Sequence, residues 1–413
     1  MCRKHTWITV DFHDEENYHN QLNKSKDFIA AVTEFILSVG LKLCHKPNCP
    51  GGCKLTRHSH YGRIRLDGLE IWRVQCTLCK AVFTVMPNFV LPYRATPPAQ
   101  AKSALHNYYR GLSLDCATEE LEQLTPSALF RLWCSFGQSN TVEVLLKAQL
   151  SLPEYLEFDE KHSSCEGEPV YLPTVSSGDV IWSLAFCEHK TPDDFIKGYG
   201  VFQQAALECQ PAWQAKGILC DDYDSTTQAA HALQPNTPVG ICIRHSSDSL
   251  KRQLAGVEES QLKQLQHDFW HLFEKRGIGL IPVFCLGQRL RHFVGKAKKL
   301  AGEVFGKKIH DWIQRKKAGW FAVMRDANMP LTSAKLDQLH NFIDRKLFAM
   351  KGFHHASIDR QAFLNTFVLV HDFMPYMHRS KHPGQCPIEV AGGKMPASDW
   401  FLSMRILTSG GFS

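Results

Sequence analysis

Apolar residues between positions 24 and 43 return every three and four residues, at Phe28, Val32, Phe35, Ile36 and Val39, and this spacing predicts a helix. The period is lost from Cys44 to Phe89, where Gly, Pro and Cys are mixed with short strand-like pieces such as Ile71-Trp72-Arg73-Val74. Helical returns resume at Pro98 and predict three short helices over 99–109, 114–121 and 126–136. Arg110-Gly111-Leu112-Ser113 separates the first two. Ser113 and Thr125 stand where N-caps are needed, Thr125 with Pro126 directly after it.

Near Leu152 the pattern changes. Strands are expected over 155–158, 170–172 and 180–186, a helix over 192–212, a strand over 217–220, a short helix over 225–233 and a strand over 239–243. Strands and helices mixed in this way read as an α/β class. Residues 246–336 are helical in character and rich in Lys, Arg and Gln. A last helical block covers 339–374, and the tail after Pro375 reads as irregular.

A chain of 413 residues suits two or three domains. The start is charged, and apolar runs are broken by charges well short of a bilayer's width, so a cytoplasmic protein with no membrane partner is expected. The 15 cysteines are odd in number and mostly scattered, which argues against a disulfide framework. Five of them crowd between Cys44 and Cys79, which suggests a metal. The net charge of +6, with 21 His beyond that count, is compatible with a nucleic-acid partner.

Cys76-x-x-Cys79 has the knuckle spacing that lets two thiolates meet one tetrahedral zinc. Cys44-x4-Cys49 is the second pair, with Cys53, His45 and His58 as substitutes. Cys pair, polar loop, basic hairpin and Cys pair together read as a zinc ribbon holding a structural Zn²⁺. Arg57, Arg63, Arg65 and Arg73 lie between the pairs, where a phosphate-contacting face is expected. The three helices that follow, with Gly111 in the break, fit a helix-turn-helix as well as plain helical packing.

Two predicted strands end on acids: Asp159 after Leu156-Glu157-Phe158, and Asp221-Asp222 after Ile218-Leu219-Cys220. Carboxylates at a sheet rim suit two-metal phosphoryl transfer, where one ion activates the attacking oxygen and the other stabilises the leaving oxygen. A third acid, Asp344, lies on a predicted helix with Lys351 seven residues on, about two turns, and so on the same face.

This arrangement resembles the bacterial insertion-sequence transposases of the DDE type. Their pattern is strand–Asp, strand–Asp and a helix-borne Glu followed by a basic residue seven positions later. Asp159, Asp221 (or its neighbour Asp222) and Asp344 match the acids and Lys351 the base, with Asp344 in place of the usual Glu. Cys242-x-x-His245 resembles a pair found in transposases with an inserted core. The resemblance implies a zinc ribbon over 1–93, a helix-turn-helix over 94–150, a ribonuclease-H-like core over 151–375 with a helical insertion at about 250–335, and a tail over 376–413. It further implies catalytic Mg²⁺ or Mn²⁺ on Asp159, Asp221, Asp222 and Asp344, with structural Zn²⁺ on Cys44, Cys49, Cys76 and Cys79. The expected partners are double-stranded DNA, both terminal inverted repeats and target, and further copies of the chain. The expected chemistry is phosphodiester hydrolysis followed by 3′-hydroxyl strand transfer. Three rival readings remain open: an inactive, transposase-derived DNA-binding protein, a metal-dependent nuclease, and a cytoplasmic zinc protein whose acids are structural.

Overall fold

Residues 7–44, 49, 52–63, 66, 68–92, 94–273, 283–350, 352–353 and 359–409 are described in the computed structural model. They form two units, Met1–Ser151 with Phe342–Ser413, and Leu152–Asn341. Both are mixed α/β, each built on one mixed sheet, and about half of the chain is helical.

The first unit opens with β1 (Trp7–Val10), α1 (Glu15–Leu22) and α2 (Ser25–Ser38), then β2 (Leu55–Arg63), β3 (Leu69–Cys76) and β4 (Val82–Pro87). Its sheet runs β1-β4-β3-β2, antiparallel except for the parallel β1–β4 pair. The helical trio follows as α3 (Pro98–Tyr109), α4 (Leu114–Thr118) and α5 (Pro126–Phe136), then α6 (Thr141–Lys147). Ser113 Oγ accepts from Cys116 N and Thr125 Oγ1 from Ala128 N, so both expected caps are made. Gly111 takes φ +106°, a conformation that a side chain would strain.

The second unit is organised by β5 (Tyr155–Cys165), β6 (Glu168–Ser177) and β7 (Val180–Leu184), an antiparallel meander. After α7 (Pro192–Cys209), β8 (Gly217–Cys220) pairs parallel with β5. After α8 (Asp224–Leu233), β9 (Val239–Ile241) pairs parallel with β8. The order is therefore β7-β6-β5-β8-β9, with β5 central. β8 is buried along its whole length, as a parallel strand covered on both faces must be.

Four helices follow: α9 (Ile243–Gln253), α10 (Glu259–His271), α11 (Val283–Ala301) and α12 (Glu303–Arg325). They share a core of their own, with Leu250, Phe269, Leu290, Phe293, Trp312 and Trp320 at its centre. Buried indole N–H groups need partners, and Trp312 and Trp320 donate to Ser249 Oγ and Ser246 Oγ on α9. Helix α12 also covers the β9 edge of the sheet. Gly319 and Gly240 allow this close approach, since a Cβ there would fall 2.5 Å from Ile241 Cγ1 and 2.4 Å from Val323 Cγ2 respectively.

Helix α13 (Ala334–Met350) starts in the second unit and ends in the first. The first unit closes with α14 (Arg360–Phe373), α15 (Pro387–Val390) and α16 (Trp400–Thr408). The tail thus contains helices that its sequence pattern does not announce. Nearly every residue of α16 is buried, so it has no polar face from which a helical period can be read. Among the described residues no helix is long and apolar enough to cross a membrane.

Candidate active site and metal centres

Parallel pairing of β5 with β8 matches Phe158 to Cys220, so the residues that follow, Asp159 and Asp221, come side by side where β8 ends. Strand β5 itself runs on to Cys165 in its hairpin with β6, so Asp159 lies within its strand and not, as expected, at its end. Asp159, Glu160 and Asp221 each offer a carboxylate oxygen within 4.8 Å of the others. A second group meeting the same limit joins Asp159 to His245, from the first turn of α9, and to Asp337, from the first turn of α13. Asp159 belongs to both groups. Asp221 Oδ1 and Glu157 Oε2 are buried with no hydrogen-bond partner. Glu160 is better held, accepting from Thr226 Oγ1 at 2.8 Å.

Crowded acids in a dry site resist ionisation. Burial pushes the Asp159 carboxyl up to about 7; Glu160 and Asp337 add to the push and His245 opposes it. Burial, with the charges of Glu160 and Asp159, drives Asp221 well above the usual carboxylate range. At His245 burial works against the charged ring. The hydrogen bond to Cys242 and the charges of Cys242, Asp159 and Asp221 outweigh it and lift the imidazole to about 10. Burial likewise opposes ionisation of the Cys242 thiol, but its hydrogen bonds to His245 and Ser333 draw it below its ordinary value. His245 is therefore an imidazolium at neutral pH, a cation set among acids.

Asp221 and Asp222 have different surroundings. Asp221 faces Asp159, whereas Asp222 Oδ1 lies 3.0 Å from Lys316 Nζ of α12, close but poorly aligned for a hydrogen bond. Helix α13 is fixed one turn beyond Asp337: His340 is within 3.0 Å of Thr174 Oγ1, and Thr174 is the cross-strand partner of Asp159. Thr174 donates its own hydroxyl hydrogen to Leu172 O, so the proton between Thr174 and His340 comes from His340 Nε2. Burial, and the charges of Lys161 and His245, hold that ring down to about 3, hence neutral.

Asp344 lies seven residues beyond Asp337 on α13, within the first unit, and is in none of the groups of metal-ligating atoms found among the described residues. Lys351 and Arg65 lie outside the described residues. Glu160 and Asp337 escaped the reading of the sequence. The available signals were the acid directly after Asp159 and an acid in the first turn of a helix that opens after Ser333.

Cys44, Cys49, Cys76 and Cys79 form the third group of donor atoms within 4.8 Å of one another. Cys44 Sγ is 3.3 Å from Cys79 Sγ, and Cys49 Sγ is 3.7 Å from Cys76 Sγ. The knuckle is the turn between β3 and β4, with Lys80 at φ +59°. Burial opposes ionisation at Cys76, yet N–H groups of Leu78 and Cys79 and the neighbouring thiols bring it down to about 6. Cys53 also reaches Cys76, as a fifth thiol beside the four.

Arg57, Arg63 and Arg73 of the hairpin are engaged within the unit. Arg57 donates to Leu22 O and stacks on Trp72, its Cζ 4.2 Å from the ring centroid. Arg63 donates to Leu91 O and Arg94 O, while Arg73 covers Tyr61. The expected phosphate-contacting face is thus largely committed to packing, because carbonyls and aromatic faces are within reach of these side chains. In the second unit Lys296 and Lys298 pair with Asp268 and Glu303.

The chain matches no known protein-family model and no curated protein sequence, so its functional reading rests on the site itself.

Proposed function

We propose that this chain is a DDE-type DNA transposase with a ribonuclease-H-like core in its second unit. The observation that carries the reading is Asp159's membership of both donor groups, one with Glu160 and Asp221 and one with His245 and Asp337. A carboxylate shared between two adjacent donor sets suits two divalent ions. The oxygen-rich donors suit Mg²⁺ or Mn²⁺, and the orphaned Asp221 Oδ1 is costly to bury unless it meets a cation. Such ions would supply Lewis-acid activation of a phosphodiester and of an attacking water or 3′ hydroxyl.

The chain's own residues prepare the site. Asp159, within β5, and Asp221, directly after β8, hold fixed positions on neighbouring strands. The third, helix-borne acid in this reading is Asp337, with Asp344 as the alternative two turns further along α13. The His245 imidazolium neutralises the acids and loses its proton when the ring serves as a ligand. Arg244, half-exposed with Nη1 3.0 Å from Asp337 Oδ2, is available to hold a phosphate of bound DNA. In the first unit, Cys44, Cys49, Cys76 and Cys79 would hold a structural Zn²⁺, since four thiolates complete a tetrahedral shell and leave no open position. The partners under this reading are duplex DNA bearing terminal inverted repeats, target DNA, and further copies of the chain assembled on two DNA ends.

The test is cleavage and strand transfer on DNA carrying the ends of the gene's flanking element, with Mg²⁺ or Mn²⁺. Joined products should form, and Asp159→Ala and Asp221→Ala should abolish them. Loss in Asp337→Ala with retention in Asp344→Ala fixes the third acid, and the reverse pattern moves it. Cutting without joining means a nuclease. Specific DNA binding with no chemistry under either metal rejects the enzymatic reading.

A further inference from the structure

A separate cavity of about 300 Å³ lies in the first unit, bounded by β1, α5, α16 and the segment that follows β4. Its size is at the lower end of small-molecule sites, which run to roughly 300–1,000 Å³. Three arginines line it, Arg94, Arg131 and Arg405, and among the described residues no carboxylate does. Trp7, Leu132 and Phe136 supply apolar walls, and Thr9 brings a hydroxyl from the same face of β1 as Trp7.

Among the described residues none of these arginines forms an ion pair. Arg405 is only 3% exposed. It donates to Asn88 O at 2.6 Å and Val90 O at 2.5 Å, while its Nε is buried with no partner. Those carbonyls satisfy hydrogens but carry no net negative charge. Asp399, whose charge favours the Arg405 cation, is itself paired with Lys102 at 2.5 Å. Among the described residues neither Arg94 nor Arg131 has an acidic partner, and burial and the charge of Arg131 both weigh against the Arg94 cation. Thr9 Oγ1 is a second buried polar atom without a partner, in a residue 1% exposed. A buried guanidinium left without an anion is costly; Arg405 is such a group, and the half-buried Arg94 and exposed Arg131 converge with it on one cavity, an arrangement suited to an anion. The segment is held in place from both sides: Arg63 ties down Leu91 O and Arg94 O, and Arg405 ties down Asn88 O and Val90 O.

We propose that this cavity binds a phosphate ester, the arginines and the Thr9 hydroxyl holding the phosphate and the Trp7, Leu132 and Phe136 walls packing on the attached group. A deoxynucleoside 5′-monophosphate is the size class that fits. The same chemistry is offered by a free nucleotide and by the 5′-phosphorylated end of a DNA strand. The inference does not depend on the acidic site of the second unit.

The experiment is calorimetric titration of the full-length chain with deoxyadenosine 5′-monophosphate, with deoxyadenosine as the phosphate-free control. Saturable, salt-sensitive binding of the nucleotide and none of the nucleoside is expected. Arg94→Gln/Arg131→Gln should weaken it at least tenfold, while Lys26→Gln, on the exposed face of α2, should leave it unchanged. The two arginines are not fully buried, so the double variant should fold, which its circular dichroism and melting temperature check. Competition by an oligonucleotide bearing a 5′ phosphate, but not by its 5′-hydroxyl form, assigns the site to a DNA end. Competition by neither form assigns it to a free nucleotide. Equal affinity in the folded double variant, equal binding of the nucleoside, or no binding to the wild-type chain at 10-fold excess over millimolar protein overturns the proposal.

Discussion

Replacing Asp159 by Asn removes one charge from the crowded site and keeps the shape. The Oδ1 that accepts from Glu160 N at 2.9 Å survives as an amide oxygen. Asp159's folded-state pKa is raised from 3.8 to about 7, so the folded chain binds a proton more tightly than the unfolded one. Stability associated with that proton is fully present below pH 4 and is lost as pH rises through 7. At 1.36 kcal/mol per pH unit, the interval amounts to about 4 kcal/mol at pH 8. Part of this gain is forfeited in the variant, because His245, lifted to about 10, is still charged at pH 8 and loses an attractive partner. The net expectation is a stabilisation of about 1–3 kcal/mol at pH 8 and little change near pH 4. Urea unfolding at the two pH values, in Mg²⁺-free buffer without chelator so that any thiolate-bound zinc is kept, measures it. Added Mg²⁺ should then stabilise the wild-type chain and have little effect on Asp159→Asn. Destabilisation of Asp159→Asn at pH 8 without Mg²⁺ would refute the argument that burial, with the neighbouring acids adding to it, makes the Asp159 charge costly.

Three further expectations follow from the packing. Cys76→Ser should abolish the tight binding of one zinc per chain, read by metal analysis and by the charge-transfer absorption of a cobalt-substituted sample; full retention would remove the four-thiol assignment. Gly137→Ala should cost upwards of about 3 kcal/mol in urea unfolding, since its Cβ would fall 1.6 Å from Ala362 O where α5 meets α14. A near-neutral effect would mean that the two helices separate without penalty. Lys316→Met should cost about 3 kcal/mol, because Asp222, its side chain only 4% exposed, loses its cation; a change below about 0.5 kcal/mol, the range of an ordinary surface substitution, would show that water already serves Asp222.

Much of the local structure was legible along the chain. Apolar returns at three and four residues mark α2, α3 and α5, and Ser113 and Thr125 announce the starts of α4 and α5, because caps and helix faces depend on neighbours a few residues away. The same locality makes Cys76-x-x-Cys79 readable as half of a metal group and picks out Asp159 and Asp221. Only Asp221 follows a strand's end, because β5 runs on to Cys165 through a hairpin partner the local pattern does not show. The fully buried α16 could not be read this way, and neither could β1, whose parallel partner β4 lies some 75 residues further on.

What tertiary structure alone decided is which distant residues meet. His245 and Asp337 reach Asp159 from positions 86 and 178 residues later in the chain. Lys316 on α12 separates the environments of Asp221 and Asp222, although the two acids are adjacent and identical in type. Arg94, Arg131 and Arg405 look like unrelated surface cations until β1, α5 and α16 place them around one cavity. Periodicity reports which face of an element is buried, but not what lies opposite it. That is set by strand register and helix packing, where a shift of one residue would turn these side chains to the other face.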